Sequence, residues 1–309
     1  MDNLLNFKPS RLISIDDLDA DDIQTLYATT LEFKKVLERP VKKVPALKDL
    51  TIANLFFEDS TRTRLSFELA EKRLGADIVN FSAASSSLKK GESLNDTVQN
   101  LCQMKIDLIV VRHKISGTAH FVYEKTKIPV VNAGDGTNEH PTQALLDLFT
   151  LWQKGLKSAD FSILLKGDVL HSRVAGSSIK LWDKLGIQYK ILGPLTVMKN
   201  HIASKSANFI NPPFNVIYNL RIQKERQEKE LIPSLEEYNQ FFGTKAPFED
   251  RVYYMHPGPI NRGVELDSEL ADSSHSLIMD QVEMGVALRM AVIYLLGQKK
   301  EALGASSYF

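Results

Sequence analysis

Eight short runs rich in apolar and β-branched residues recur along the chain, at 51–57, 77–81, 106–111, 129–132, 161–165, 188–192, 214–219 and 251–255. Most are continuous rather than alternating, the pattern of strands covered on both faces. Between them lie segments with helical spacing. Phe67, Ala70 and Leu74 follow the first run, and Leu145, Leu148 and Trp152 follow the fourth. Strand–helix–strand repetition predicts parallel sheets with right-handed crossovers. With 309 residues the chain holds roughly two domains of ~150 residues each. The expected fold is α/β with two domains, each a Rossmann-like parallel β-sheet flanked by helices and joined by interdomain helices. The boundary is expected at the helix starting near Pro141, giving domains 1–140 and 141–279. The last helix, within 280–309, is expected to pack back on the first domain.

Charge and cysteine usage exclude several functions. Lys+Arg and Asp+Glu both total 38, so no basic excess favours nucleic acid, and an anionic ligand needs a local cluster of arginines. Cys102 is the single cysteine, which rules out an intramolecular disulfide or a cysteine-based zinc site and suits a reducing cytoplasm. The first residues lack the long apolar core of a secretory signal, and the apolar stretch 286–296 is short for a membrane span and contains Arg289. No P-loop, dinucleotide fingerprint, His/Cys cluster, paired carboxylates or Ser-His-Asp order is present. The expectation is a cytoplasmic protein with no cofactor, no metal, and neither nucleic acid nor membrane as a partner.

In such sheets ligands gather beyond the carboxyl ends of the strands, often at helix N-termini. Run 51–57 leads into Glu58-Asp59-Ser60-Thr61-Arg62-Thr63-Arg64. Ser60 or Thr61 suits an N-cap, and with Arg62 and the helix N–H groups forms an oxyanion cradle; a capped helix with solvated arginines is the plainer alternative. Run 106–111 leads to Arg112-His113, where the arginine either shares that anion or forms a structural ion pair. Run 129–132 is followed by Gly134 to Gln143, with Pro141 suited to the first helical position and His140 just before it. A positive helix end disfavours imidazolium, so a neutral His140 can donate to a substrate carbonyl, with Gln143 at the same mouth.

The second half repeats the pattern. Run 161–165 leads to Gly167-Asp168-Val169-Leu170-His171-Ser172-Arg173, and run 214–219 leads to Arg221-Ile222-Gln223. These arginines suit carboxylates in bidentate geometry, though each alone also fits a surface ion pair. Run 251–255 leads to His256-Pro257-Gly258-Pro259, a stiff turn whose carbonyls can be held toward a ligand. Arginine plus hydrogen-bond donors at successive strand tips suits small, multiply anionic ligands, a phosphate and a dicarboxylate among them.

Taken in order, these segments resemble the carbamoyltransferase family from about Phe7 to the C-terminus. Phe57-Glu58-Asp59-Ser60-Thr61-Arg62-Thr63-Arg64 is similar to its carbamoyl phosphate signature, and His140-Pro141-Thr142-Gln143 to its second signature. Arg221-x-Gln223 resembles the branch that uses aspartate as acceptor. Ornithine-using members typically carry His-Cys-Leu-Pro where this chain has His256-Pro257-Gly258-Pro259; Gly258 stands where some members have leucine. Ser86-Ser87-Leu88-Lys89-Lys90-Gly91-Glu92 resembles a loop that reaches into the neighbouring subunit's site. Ser87 and Lys90 are the favoured pair in it, with Ser86 and Lys89 as the alternates.

The resemblance implies transfer of the carbamoyl group of carbamoyl phosphate to L-aspartate, an early step of pyrimidine biosynthesis. Ser60, Thr61, Arg62, Thr63 and Arg112 would hold the phosphate, with Ser87 and Lys90 arriving from the next subunit. Thr63, Arg112 and His140 would surround the carbamoyl oxygen. Gln143 and the backbone at Pro257 would bind the carbamoyl amide. Arg173, Arg221, Gln223, Lys90 and the turn Pro257-Gly258-Pro259 would hold aspartate. It further implies a homotrimer with shared active sites, and makes a regulatory chain or dihydroorotase a candidate partner. The charged run 223–230 reads as a solvated loop or as one that closes over the bound ligands.

Overall fold

A computed structural model describes residues 7–82, 93–198, 214–223, 231–232, 234–246 and 251–305. The chain divides into two compact units, Met1–Leu146 with Glu283–Phe309, and Asp147–Val282. The first unit holds β1 (Thr51–Phe56), β2 (Asp77–Ser82), β3 (Leu108–His113) and β4 (Val130–Asp135), with α1 (Ala20–Leu37), α2 (Thr61–Leu74), α3 (Leu94–Gln103) and α4 (Thr118–Thr126). The second holds β5 (Ser162–Lys166), β6 (Gln188–Leu192), β7 (Val216–Asn219) and β8 (Tyr253–Met255), with α6 (Arg173–Leu185), α7 (Leu235–Phe242) and α8 (Ser268–Ala271). The divisions between the units fall inside α5 (Pro141–Gln153) and α9 (Ile278–Ala305).

Each unit contains one parallel four-stranded sheet, ordered β2-β1-β3-β4 in the first and β6-β5-β7-β8 in the second. The two orders are the same topology. In each, the chain steps outward from its first strand to an edge, then returns to build on the other side. The switch point therefore lies between β1 and β3, and between β5 and β7. Those are the places where helices leave adjacent strands in opposite directions and a crevice opens at the carboxyl ends.

The helical spacing read from the sequence buries the intended face. Phe67, Ala70 and Leu74 of α2 are fully buried, as are Leu145 and Leu148 of α5, while Trp152, the third residue of that spacing, is half-buried. Each large side chain so buried contributes roughly 1.5–3 kcal/mol. The first core continues through Ala53, Leu55, Ile109, Val111, Val122 and Val130. The second unit has smaller clusters, one around Val252, Tyr254, Leu266 and Leu270 and another around Val197, Ile222 and Tyr238. Arg289, the lone cation in the middle of apolar α9, is buried with its guanidinium 5.0 Å over the Phe67 ring, and it donates to the Gly285 carbonyl. Among the described residues, no helix is long and apolar enough to cross a membrane.

Two strands run further than their apolar residues suggest. β3 takes in Arg112 and His113 because the backbone pairing does not stop at Val111: Arg112 O accepts from Phe57 N at 2.9 Å and His113 O from Gly136 N at 2.9 Å. β4 takes in Gly134 and Asp135, poor strand formers. There the Asn132 side chain accepts from Gly134 N at 2.8 Å, and Asp135 N donates to Glu139 O at 3.1 Å.

Candidate active site

In the first unit the sequence-predicted residues fall at the ends of three adjacent strands, β1, β3 and β4. Ser60 occupies the N-cap position of α2, but its side chain makes no capping bond. The hydroxyl is therefore not spent on the helix, and the first N–H groups of α2 carry the positive end of its dipole at the β1 tip. Thr61, Arg62 and Thr63 form the first turn, with Thr61 and Arg62 exposed and Thr63 half-buried. Arg64, two residues on, is paired with Glu68 at 3.2 Å.

Arg112 is aimed by two oxygens from neighbouring strand tips. Its guanidinium donates to Glu58 Oε1 at 3.0 Å and to the Ala133 carbonyl at 3.1 Å. The structural ion pair named as an alternative is present, and it fixes the guanidinium between the ends of β1 and β4. His113 packs against the Phe57 ring, and its Nδ1 accepts from Ile115 N at 2.9 Å. Burial holds its pKa below the ordinary histidine range.

His140 directly precedes Pro141, the first residue of α5, and is 4% exposed. Its Nδ1 lies 3.4 Å from the Thr142 hydroxyl, and its carbonyl accepts from Gln143 N at 2.9 Å. The loop before it is organised by two buried carboxylates. Asp135 accepts from Gly117 N at 2.6 Å, Asn132 Nδ2 at 2.8 Å and Glu139 N at 3.2 Å. Glu139 accepts from the Ser14 hydroxyl at 2.5 Å and from Ile15 N at 3.0 Å.

In the second unit the candidates again follow three adjacent strands, β5, β7 and β8. Arg173 is the first residue of α6, buried behind the N-cap Ser172, whose side chain accepts from Ala175 N. Arg221 and Gln223 follow β7, and Arg221 Nη2 donates to Gln223 Oε1 at 3.2 Å. Asp168, fully buried after β5, ties the two loops together. It accepts from His171 N at 3.1 Å and Gln223 N at 3.3 Å, with His171 Nδ1 at 2.8 Å. Gly167 permits this approach: its φ is +123°, and an added Cβ would meet the Leu220 carbonyl at 2.5 Å.

The turn after β8 is clamped from several sides. His256 is buried; its Nδ1 accepts from Gly258 N at 2.8 Å, which leaves the ring proton at Nε2 to donate to Glu265 at 3.1 Å. His256 N donates to Gln281 Oε1 at 3.2 Å, and Gln281 Nε2 donates to Asp147 Oδ1 at 2.6 Å. The Tyr218 hydroxyl donates to the other oxygen of Asp147. Gly258 sits at φ +66°, a conformation that suits glycine. Deeper in this unit, Lys166 at the end of β5 donates to Thr244 Oγ1 at 2.9 Å, and burial pulls its pKa down to about 8.

Ser86, Ser87, Lys89 and Lys90 lie outside the described residues, as does 224–230 of the charged run. Sequence reasoning missed Asp135 and Asp168 as organisers of the two sites. A signal existed: Gly-Asp closes β4 as Gly134-Asp135 and follows β5 as Gly167-Asp168. Among the described residues, no group of three or more His, Cys, Asp or Glu side chains is placed to hold a metal ion.

Two α/β units, each with a parallel sheet and arginines after the strands that flank its switch point, have the architecture suited to small anionic ligands. A profile of the aspartate/ornithine carbamoyltransferase carbamoyl-P binding domain matches residues 10–153, and one of the Asp/Orn binding domain matches 159–296. The chain belongs to the aspartate/ornithine carbamoyltransferase family. It is 50% identical over 302 residues to the aspartate carbamoyltransferase catalytic subunit of Cytophaga hutchinsonii, covering 94% of this chain and 97% of that protein. It is 49% identical over 299 residues to that of Flavobacterium johnsoniae, covering 93% and 97%. Among solved structures, it resembles Trypanosoma cruzi aspartate transcarbamoylase in complex with carbamoyl phosphate and aspartate, with a TM-score of 0.83, 26% identity, and 94% and 98% of the two chains covered. The catalytic subunit of M. jannaschii aspartate transcarbamoylase gives a TM-score of 0.80 at 29% identity, covering 94% and 99% of the two chains.

Proposed function

We propose that this enzyme transfers the carbamoyl group of carbamoyl phosphate to L-aspartate, giving N-carbamoyl-L-aspartate and phosphate. The observation that carries the reading is the repeated placement of arginines at the switch points β1/β3 and β5/β7, in a chain about half identical to aspartate carbamoyltransferase catalytic subunits. Segment 1–140 is the carbamoyl phosphate-binding domain, with the chain from about 280 associated with it, and 141–279 is the aspartate-binding domain.

Ser60, Thr61, Arg62, Thr63 and Arg112 bind the phosphate, where helix N–H groups and guanidinium hydrogen bonds suit an oxyanion. Thr63, Arg112 and His140 face the carbamoyl oxygen, and Gln143 and the Pro257 backbone take the carbamoyl amide. The Thr142 hydroxyl lies 3.4 Å from His140 Nδ1, and the role given to His140 here needs its proton at Nε2, aimed at the carbamoyl oxygen beside the helix end. Arg173, Arg221, Gln223 and the turn Pro257-Gly258-Pro259 hold aspartate. Its amine attacks the carbamoyl carbon, negative charge grows on the carbonyl oxygen, and the C–O bond to phosphate then breaks. The departing phosphate accepts the amine proton, so no side-chain base is needed. Orientation and fixed charge supply the acceleration.

Ser87 and Lys90 come from a neighbouring subunit of a homotrimer, and Lys90 contacts both ligands. The enzyme works in the cytoplasm at an early step of pyrimidine biosynthesis, where a regulatory chain or dihydroorotase is a candidate partner. Mixing subunits tests the reading. Arg62→Ala and Lys90→Ala enzymes are each expected to be nearly inert in carbamoyl aspartate formation. Dissociated and reassociated in equal amounts, they are expected to recover about a quarter of the native sites, one in each mixed trimer. A mixture no more active than its components contradicts shared sites.

A further inference from the structure

We infer that Glu139 is a positioning residue for His140, acting from outside the reacting groups. The inference rests on the reading of His140 given above. Glu139 is 2% exposed, and its backbone and side chain are held by different partners. Its N–H donates to Asp135 Oδ1 at 3.2 Å and its carbonyl accepts from Asp135 N at 3.1 Å, a bridge that closes the turn onto the end of β4. Its carboxylate takes the Ser14 hydroxyl at 2.5 Å and Ile15 N at 3.0 Å. Ile15 opens a short 3-10 helix capped by Ser14, whose hydroxyl accepts from Asp16 N, so the Glu139 carboxylate grips this turn at its first N–H and at its cap.

The segment it grips is itself fixed to the sheet. Leu12 N donates to Val130 O at 2.8 Å, Asn132 N donates to Leu12 O at 2.9 Å, and Asn132 Nδ2 donates to Ile13 O at 3.0 Å. Residues 12–15 thus form a buttress on β4, and Glu139 joins the His140 peptide to it. His140 is the next residue, between this anchored peptide and Pro141, whose ring fixes its own φ. The freedom left to the imidazole is its side-chain rotation, with Thr142 beside Nδ1. Without the Glu139 anchor the peptide before His140 loses its side-chain attachment, while the helix after it stays in place.

The test is a double-mutant cycle of Glu139→Ala and His140→Ala in the intact enzyme, with Glu139→Gln as the conservative variant. Misplacement of a catalytic donor by about an ångström costs up to ~10²-fold in rate. Glu139→Ala is expected to lower kcat ~10- to 100-fold with the KM for carbamoyl phosphate changed by no more than about twofold. Glu139→Gln is expected to recover most of the loss, because its amide oxygen still accepts from Ile15 N. The double variant is expected to match His140→Ala alone, since Glu139 acts only through that ring. A double variant weaker than His140→Ala by the full single-variant factor overturns the inference, as does normal turnover in Glu139→Ala. Normal turnover in His140→Ala would instead sink the reading of His140 itself. If Glu139→Ala fails to fold, Ser14→Ala removes one of the two anchoring bonds and is expected to lower kcat in the same direction; an unchanged kcat there overturns the inference.

Discussion

Arg62→Ala is expected to lower kcat by ~10²–10³-fold or more while leaving the fold and its denaturation midpoint nearly unchanged. Arg62 is exposed in the first turn of α2, so its removal opens no cavity in the core. The neighbouring Arg64 is engaged by Glu68 and does not replace it. The loss falls on a step in which charge moves onto phosphate and carbonyl oxygens, where a fixed guanidinium counts most. Arg112→Ala is a poorer test, because it also deprives the partly buried Glu58 of its ion-pair partner. Steady-state rates beside urea midpoints decide the matter. Near-normal turnover in a folded Arg62→Ala enzyme removes the phosphate assignment.

Glu71→Gln is expected to stabilise the protein above pH 7, by up to about 3 kcal/mol. Glu71 is fully buried on α2, the helix whose first turn binds phosphate in the reading above, and its Oε2 accepts from Asn54 Nδ2 at 2.7 Å. Asn54 Oδ1 and Glu71 Oε1 are both buried acceptors without a hydrogen-bond donor. A proton on the carboxyl supplies that donor. Burial, with a smaller push from Glu68 and opposed by Asn54 and Lys72, raises the pKa from 4.5 to about 7. A raised folded pKa means that the stability it confers is complete below about 4.5 and declines as pH rises through about 7. Glutamine carries the donor at every pH. Urea midpoints of the two proteins should therefore converge near pH 4.5 and separate by pH 8, and parallel profiles would show that Glu71 ionises without cost.

The strands and the helix faces were legible because each depends on residues close in sequence. Continuous apolar runs marked the strands, and Phe67, Ala70 and Leu74 marked the buried face of α2. Pro141 marked the first residue of α5 by its own backbone restriction. The ends of β3 and β4 were not legible, since partner strands and the Asn132 side chain hold them in extended form despite polar or flexible residues. The arginines were visible by position but their orientation was not. Arg112 takes its direction from Glu58 and Ala133, which are 54 and 21 residues away. Asp168 reaches Gln223 across 55 residues and Glu139 reaches Ile15 across 124, distances that no local pattern encodes. Lys166, which no sequence pattern singled out, is buried against Thr244, 78 residues on.

The central claim, carbamoyl transfer to a dicarboxylic amino acid, is tested most directly by a colorimetric assay for carbamoylated product. Purified enzyme and carbamoyl phosphate are incubated with L-aspartate or with L-ornithine. Product with aspartate alone is the expected result, because Arg221 and Gln223 suit a carboxylate and offer nothing to a cationic side chain. Product with ornithine alone would keep the phosphate assignment and contradict the acceptor, and no product with either would contradict the account as a whole.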